Sequence, residues 1–239
     1  MEISAPPPPD SDRYRRVAAP LHTILVLAAV GFWAFRGAIR ADQLRAAVNL
    51  SRAGLYERTM LFEWLMFAFI ILGVKLNGSS LLTVLGDRWR SALQVLRDVG
   101  IAVVFLLSSA IVVSTFGHLL GVTSTQRNVQ FLLPHGGREI TLWIALSITA
   151  GICEETIFRG YLQRQFVALT KNASLGILLS AMAFGGAHAY QGFRQAVSIS
   201  LLGALLGILA HWRRSVRPGM ISHALQDILG GLFAGAIRH

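Results

Sequence analysis

The sequence has few charged residues and a single cysteine. Only 14% of its 239 residues are charged, whereas 54% are hydrophobic, and this balance is too apolar for an ordinary soluble domain of this length. Because Cys153 is the only cysteine, an intrachain disulfide and a cysteine-rich zinc site are excluded. Four of the seven prolines form a run at positions 6–9, without the basic and apolar regions of a signal peptide. We interpret residues 1–16 as a disordered, Pro-rich N-terminal tail.

Long apolar segments are abundant, and several approach the roughly 20 residues that a helix needs to cross a bilayer. No alternation typical of a β-barrel is visible, so the predicted fold class is all-α, a polytopic transmembrane helical bundle. The second segment is weakened by Glu63 and the fifth is short, which leaves six or eight spans compatible with the sequence. The seven predicted spans are Val17–Phe35, Thr59–Val74, Val99–Leu120, Ile140–Phe158, Leu175–Tyr190, Ala196–Trp212 and Pro218–Ile237.

The positive charge is distributed in a way that points to a membrane. The formal net charge is +10, which by itself is compatible with a nucleic-acid partner. The cations instead flank the predicted spans, as expected for contact with anionic headgroups and for the positive-inside bias. They form three groups, at Arg13, Arg15 and Arg16, at Arg88 and Arg90, and at Arg213, Arg214 and Arg217. We therefore expect membrane lipid and no nucleic acid as a partner. The Arg-rich, Lys-poor chain favours a bacterial cell membrane.

Ionisable residues inside the apolar segments are the best indicators of function. Each costs about 2.5–3.5 kcal/mol on insertion scales, so such residues usually face the bundle interior and have a partner. Glu155 and Arg159 are four residues apart, in the order that favours an ion pair on one helical face. Glu154 is rotated about 100° around the helix, which leaves it free for chemistry. The alternative is a solvated ion pair at a helix end, since Gly160 follows.

Two further pairs follow on later spans. His188 stands four residues after Phe184, with two glycines between them that admit another helix or a substrate backbone. His223 and Asp227 are also four apart. Each pair alone is explained equally well by packing or an interhelical hydrogen bond. Together with Glu154 they provide the carboxylates and imidazoles needed to activate a water molecule.

The ordered motifs resemble one known family. E-E-x-x-x-R at Glu154–Arg159, F-x-x-x-H at Phe184–His188 and H-x-x-x-D at His223–Asp227 resemble the CPBP (CAAX protease and bacteriocin-processing, or Abi) family of intramembrane endopeptidases. The resemblance implies a multi-pass protease that cleaves a membrane-anchored or lipidated protein or peptide. Eukaryotic relatives remove the last three residues of prenylated CAAX proteins. It also implies that residues 140–237 form the catalytic transmembrane core, after N-terminal transmembrane helices in residues 17–122.

The resemblance also implies roles for the motif residues. Glu154 would be the general base, assisted by His188, while His223 and Asp227 would line the oxyanion site. Glu155 and Arg159 would support the geometry. The eukaryotic prenyl-protein proteases have asparagine where this chain has Asp227, and an ionised aspartate cannot donate a hydrogen bond. Asp227 is therefore protonated, orients His223 or binds a metal.

The sequence leaves the cofactor and the reaction class open. Glu154, His188 and His223 have the composition of a catalytic zinc site, but H-E-x-x-H is absent. The family resemblance implies a glutamate-dependent hydrolase without an obligatory metal, and we favour it because no spacing in the sequence forces a metal site. The zinc-dependent protease is the alternative. A proton-coupled transporter and a catalytically inactive scaffold or immunity protein are further alternatives. Cys153 as a nucleophile is disfavoured against a packed small residue, because the adjacent carboxylates oppose its thiolate.

The predicted topology conflicts with a single site. Seven spans place Glu154 and His223 near one membrane face, and place His188 late on a helix that runs the opposite way. At about 1.5 Å per residue, this separates His188 from the other two. We therefore predict that the fifth helix continues past Tyr190 or starts deeper than Leu175.

Overall fold

The computed structural model describes residues 15–47, 51–122 and 130–236. These ranges contain helices and no strand, which confirms the all-α class. The predicted tail lies outside the described residues except for Arg15 and Arg16. The helices are α1 (Pro20–Ala46), α2 (Arg52–Leu76), α3 (Leu81–Leu85), α4 (Ala92–Leu119), α5 (Gly136–Thr170), α6 (Ala173–Ala187), α7 (Phe193–Arg213) and α8 (Arg217–Ala236).

Five of these helices are long and apolar enough to cross a bilayer, namely α1, α2, α4, α5 and α7. This makes the chain an integral membrane protein. Helix α6 is apolar but has only 15 residues, so the predicted count of seven spans is not confirmed. The connection expected between residues 36 and 58 is largely helical, because α1 continues to Ala46 and α2 begins at Arg52. The side chain of Ser51 caps α2 by accepting a hydrogen bond from the Gly54 amide at 3.2 Å.

Helix α5 extends well beyond the predicted end at Phe158. It continues to Thr170 and contains π-helical turns at Thr156–Leu162, a distortion that is common at functional sites. The hydroxyl of Ser180 donates to the Phe158 carbonyl within these turns at 2.6 Å. Gly160 does not end the helix. A Cβ atom there would lie 2.6 Å from the Val84 carbonyl oxygen, so this glycine lets α3 pack against α5.

Of the two alternatives predicted for the fifth helix, α6 in the structure, continuation past Tyr190 is wrong, and the start lies two residues before Leu175. The helix starts at Ala173 and ends at Ala187, and the chain continues from His188 into a 3-10 turn at Ala189–Gln191. His188 nevertheless reaches the depth of Glu154, because α5 is long and the turn after it is tight. Glu154 lies 16 residues before the end of α5 and His188 lies 15 residues after the start of α6, so both are about 22–24 Å from the turn. The topological conflict arose from ending the preceding helix too early.

A buried polar network attaches the start of α1 to the second half of α5. Gln165 is completely buried, and its amide bonds the Val17 N–H at 2.8 Å, the Ala18 carbonyl at 3.0 Å and the Thr23 hydroxyl at 2.6 Å. The Tyr161 hydroxyl lies 3.1 Å from the same threonine oxygen. These bonds satisfy polar groups that would otherwise be costly in an apolar bundle. They fix where α1 enters the structure.

Small residues allow α7 to approach its neighbours closely. A Cβ atom on Gly203 would lie 3.1 Å from the Phe184 ring, and one on Gly207 would lie 2.6 Å from the Gln163 side-chain oxygen. Opposite them on α6, a Cβ atom on Gly185 would overlap the hydroxyl of Ser200 on α7. Backbones in this region are therefore as close as glycine permits. Of the second glycine pair in the sequence, Gly231 contacts Trp143 in the same way, and the surroundings of Gly235 lie outside the described part.

Candidate functional site

His223 connects the two adjacent glutamates. Its Nδ1 donates to Glu155 Oε1 at 3.1 Å, while its Nε2 lies 3.8 Å from Glu154 Oε2 and 3.6 Å from Asp227 Oδ2. The two longer distances exceed a direct hydrogen bond. They are compatible with a water molecule that contacts both the carboxylate and the ring. The glutamates therefore point to different nitrogen atoms of one imidazole, as expected from their rotation around α5.

The two glutamates differ in environment. Arg159 Nη1 lies 2.7 Å from Glu155 Oε1, and these two side chains are 1% and 0% exposed. The predicted i,i+4 ion pair is therefore present, and it lies in the middle of α5. The alternative of a solvated pair at a helix end is wrong. The Glu154 side chain is 17% exposed, so it is the carboxylate within reach of water.

Phe184 connects the motifs. The Arg159 guanidinium lies over its ring at 4.1 Å from the centroid, and the ring is 1% exposed. Its centroid lies 4.8 Å from the ring of His188 and 5.9 Å from the ring of His223. A single aromatic side chain thus packs against both imidazoles and against the guanidinium of the ion pair.

His188 faces the same region from the end of α6. Its Nδ1 donates to the Phe184 carbonyl at 2.9 Å, so a neutral ring keeps its lone pair at Nε2. The ring interacts electrostatically with Asp227, which places it near the His223–Asp227 pair. The 3-10 turn after His188 is held by α1, since Arg45 donates to the Tyr190 carbonyl at 2.7 Å and Gly37 packs beside the Tyr190 side chain. The structure therefore gathers the residues of all three motifs around Phe184.

Glu63 is the residue that the sequence motifs missed. It is 5% exposed on α2, and it interacts electrostatically with Glu154, His223 and Asp227. One of its carboxyl oxygens, Oε2, is buried without a hydrogen-bond partner. The sequence carried a signal for it, because an ionisable residue in an apolar span indicates function. It was interpreted only as weakening the second span.

The donor set does not have the arrangement of a metal site. In the described ranges, no three His, Cys, Asp or Glu side chains converge on a point from which they could bind an ion. We therefore derive no step through a metal. Cys153 is 0% exposed, as a packed residue would be.

The comparisons with known proteins agree with the motifs. No curated protein and no solved structure matches the chain. Residues 136–229 match the family described as type II CAAX prenyl endopeptidase Rce1-like. This range contains α5 to α7 and the part of α8 that carries His223 and Asp227, and the match supports an intramembrane endopeptidase of CAAX type. Over residues 136–229, the match to the Rce1-like family model therefore confirms the resemblance to the CPBP family.

Proposed function

We propose that this protein is an intramembrane endopeptidase in which Glu154 activates the water that attacks the peptide bond. The observation that carries the proposal is the contrast between the two adjacent glutamates. The Glu155 side chain is 0% exposed and is paired with Arg159, whereas the Glu154 side chain is 17% exposed and lies 3.8 Å from His223 Nε2. Oε2 of each glutamate lacks a hydrogen-bond partner, so access to water and the pairing of charge distinguish the two. A carboxylate with an unused acceptor oxygen is suited to take a proton from water.

The proposed reaction begins with a water molecule held between Glu154 Oε2 and His223 Nε2. Glu154 takes a proton from this water, and the oxygen attacks the carbonyl carbon to form a tetrahedral intermediate. Breaking the C–N bond then transfers the same proton from Glu154 to the leaving amine. The products are a carboxylic acid and an amine, and Glu154 is again ionised. His188 assists by accepting a hydrogen bond from the water at Nε2.

The negative charge on the intermediate requires a donor. His223 Nδ1 is occupied by Glu155, so the ring donates from Nε2 only as the imidazolium. The carboxylate of Glu154, 3.8 Å from Nε2, supplies the compensating charge. Asp227 contributes a second donor if it is protonated, and this is the chemistry that asparagine supplies in the eukaryotic relatives. Preorganised donors of this kind are typically worth a factor of about 10²–10³ in rate each.

The substrate class is a membrane-associated prenylated or otherwise lipid-anchored peptide. The Rce1-like match supports a CAAX-type substrate, and the site lies within helices that are apolar enough to cross a bilayer. A lipid anchor would keep a peptide at the depth of Glu154. A bacterial host would supply anchors other than a prenylated CAAX end, so both types belong in the test.

The experiment uses the full-length protein reconstituted in liposomes with a farnesylated CAAX peptide and with an acylated peptide of the same sequence. Mass spectrometry identifies the products. We expect Glu154→Gln to reduce cleavage by about 10²–10⁴-fold and His188→Ala to reduce it strongly. Glu57→Gln is the matched control, because Glu57 is 55% exposed and lies on the bundle surface. Cleavage that survives Glu154→Gln would overturn the assignment.

The same assay with a chelator tests the zinc-dependent alternative. We expect no loss of wild-type activity, because the described side chains do not converge on a metal position. Loss of activity in the chelator that added zinc restores would establish the metal-dependent protease. A protein that cleaves neither peptide but moves protons across the liposome membrane would favour the transporter.

A further inference from the structure

We infer that Glu63 and Glu154 form a coupled pair of carboxyl groups across the interface of α2 and α5, in which Glu63 holds the proton while Glu154 is ionised. The inference rests on the proposed function, because it concerns the protonation state of the proposed base. It adds a positioning residue from outside residues 136–229, the range that matches the family.

The position of Glu63 on α2 is that of a core residue. The buried stripe of this helix otherwise consists of small or largely apolar residues, namely Tyr56, Met66, Ile70, Gly73 and Val74. Glu63 occupies the same stripe and is 5% exposed, while Glu57 on the same helix has a side chain that is 55% exposed. Burying a carboxyl group in an apolar stripe destabilises the folded protein, and packing contacts do not compensate for the lost hydration.

Two contacts fix the register of α2 against α5. Near the start of both helices, the rings of Tyr56 and Trp143 meet edge to face at 5.6 Å. Further along, His22 connects them, because its Nε2 donates to the Phe69 carbonyl at 3.1 Å and its Nδ1 accepts from the Tyr161 hydroxyl at 2.6 Å.

The contacts occur in the same order on both helices, so α2 and α5 run parallel. Glu63 lies about midway between Tyr56 and Phe69 on α2. The midpoint between Trp143 and Tyr161 on α5 falls two residues before Glu154. The register therefore places the two glutamates at the same level, in agreement with their electrostatic interaction.

Two interacting carboxyl groups at one level of an apolar bundle cannot both be ionised without a large cost. Oε2 of Glu63 and Oε2 of Glu154 are both buried without a hydrogen-bond partner, and like charges in a low-dielectric site resolve the conflict by sharing one proton. Among the described residues no cation lies within 4 Å of Glu63, whereas His223 lies 3.8 Å from Glu154. The proton therefore resides on Glu63. The other titratable groups that face Glu63 are Cys153 on α5, His223 and Asp227 on α8, and Tyr190 on the 3-10 turn.

The first test is the pH dependence of kcat/KM for the wild type and for Glu63→Gln in liposomes. The wild type should lose activity at alkaline pH when Glu63 loses its proton. The side-chain amide in Glu63→Gln does not titrate in this range, so the alkaline limb of the pH profile should move up by about one pH unit or more. The kcat near neutral pH should be retained. Glu57→Gln should leave the profile unchanged. A Glu63→Gln profile that superimposes on that of the wild type overturns the inference, and so does a folded Glu63→Gln protein that is inactive at every pH.

The second test does not depend on activity. Infrared difference spectroscopy of the reconstituted protein detects the carbonyl stretch of protonated carboxyl groups during a pH titration. We expect a band that disappears in Glu63→Gln and that persists in Glu154→Gln, where its midpoint moves to lower pH because the charged neighbour is gone. Glu154→Gln thus tests the pair with Glu63 unaltered.

The two tests separate two kinds of failure. If the band behaves as expected and no peptide is cleaved, the carboxyl pair stands and the proposed function fails. If cleavage depends on Glu154 but the band is unchanged in Glu63→Gln, the proposed function stands and the carboxyl pair is refuted.

Discussion

Removing Arg159 should destabilise the protein far more than removing a surface arginine. Its guanidinium lies 2.7 Å from the Glu155 carboxylate, donates to the Gly203 carbonyl at 3.3 Å, and lies over the Phe184 ring. Arg159→Met keeps much of the side-chain volume and removes all three interactions. It leaves Glu155 as an uncompensated charge in a site that is 0% exposed.

The expected magnitude follows from that burial. Breaking a buried ion pair by removing one partner typically costs about 3–5 kcal/mol, because the remaining charge has lost its compensation. Removing both charges in Glu155→Gln/Arg159→Met should recover a large part of this, with a coupling energy of about 1.5–3 kcal/mol. Glutamine keeps an acceptor for His223 Nδ1. The control cycle uses Glu57 and Arg138, which are 3.7 Å apart with side chains 55% and 80% exposed, so their coupling should be about 0–1 kcal/mol.

The assay is reversible unfolding of the purified protein in mixed micelles by added SDS, followed by circular dichroism. It gives the free energy of unfolding for each variant, and the double-mutant cycle isolates the coupling between the two side chains. A coupling for Glu155 and Arg159 no larger than that of the surface pair would refute the reasoning. It would mean that solvent or another group compensates Glu155 when the guanidinium is absent.

Two more predictions concern the groups around the proposed base. Asp227→Asn should retain cleavage and extend it to higher pH, because an amide donates a hydrogen bond at every pH, whereas Asp227→Ala should reduce the rate by about 10²–10³-fold. Measuring kcat across the pH range distinguishes the two variants. A folded but inactive Asp227→Asn protein would exclude the donor role. Phe184→Ala should lower the free energy of unfolding by about 3–5 kcal/mol, since the ring is 1% exposed, and SDS titration measures this. A cost below about 1 kcal/mol would contradict the packing of both histidines and Arg159 on this ring.

Local periodicity predicted the parts of the site that lie on one helix. The spacing of Glu155 and Arg159 placed both on one face, and the structure has their ion pair. The same spacing placed His223 and Asp227 together, and they lie 3.6 Å apart. Such pairs depend only on helix geometry, which the sequence specifies directly. The contact of His223 with both glutamates joins residues 68 positions apart, and no spacing predicts it.

Helix ends were harder to predict, because tertiary contacts decide them. Arg159–Gly160 has the appearance of a helix end, but the helix continues where Gln163 donates to the Gly207 carbonyl at 3.0 Å on a neighbouring helix. Gly160 serves the contact with Val84. The end of α6 at Ala187 is also earlier than its apolar composition suggests, since the next residues make a 3-10 turn. The early end predicted for α5 is the error that misplaced the depth of His188.

The first 122 residues contain no recognised motif, yet they contact the site in three places. Helix α1 holds the turn that follows His188, through Arg45 and the Tyr190 carbonyl. Helix α3 packs against the π-helical turns of α5 at Gly160. Helix α2 brings Glu63 to the level of Glu154. In the proposed mechanism, residues of the matched range 136–229 provide the water-activating groups. The preceding helices set the position of one histidine and, in the proposed carboxyl pair, the charge on the base. The candidate site is therefore a property of the whole bundle, and the matched domain is only one part of it.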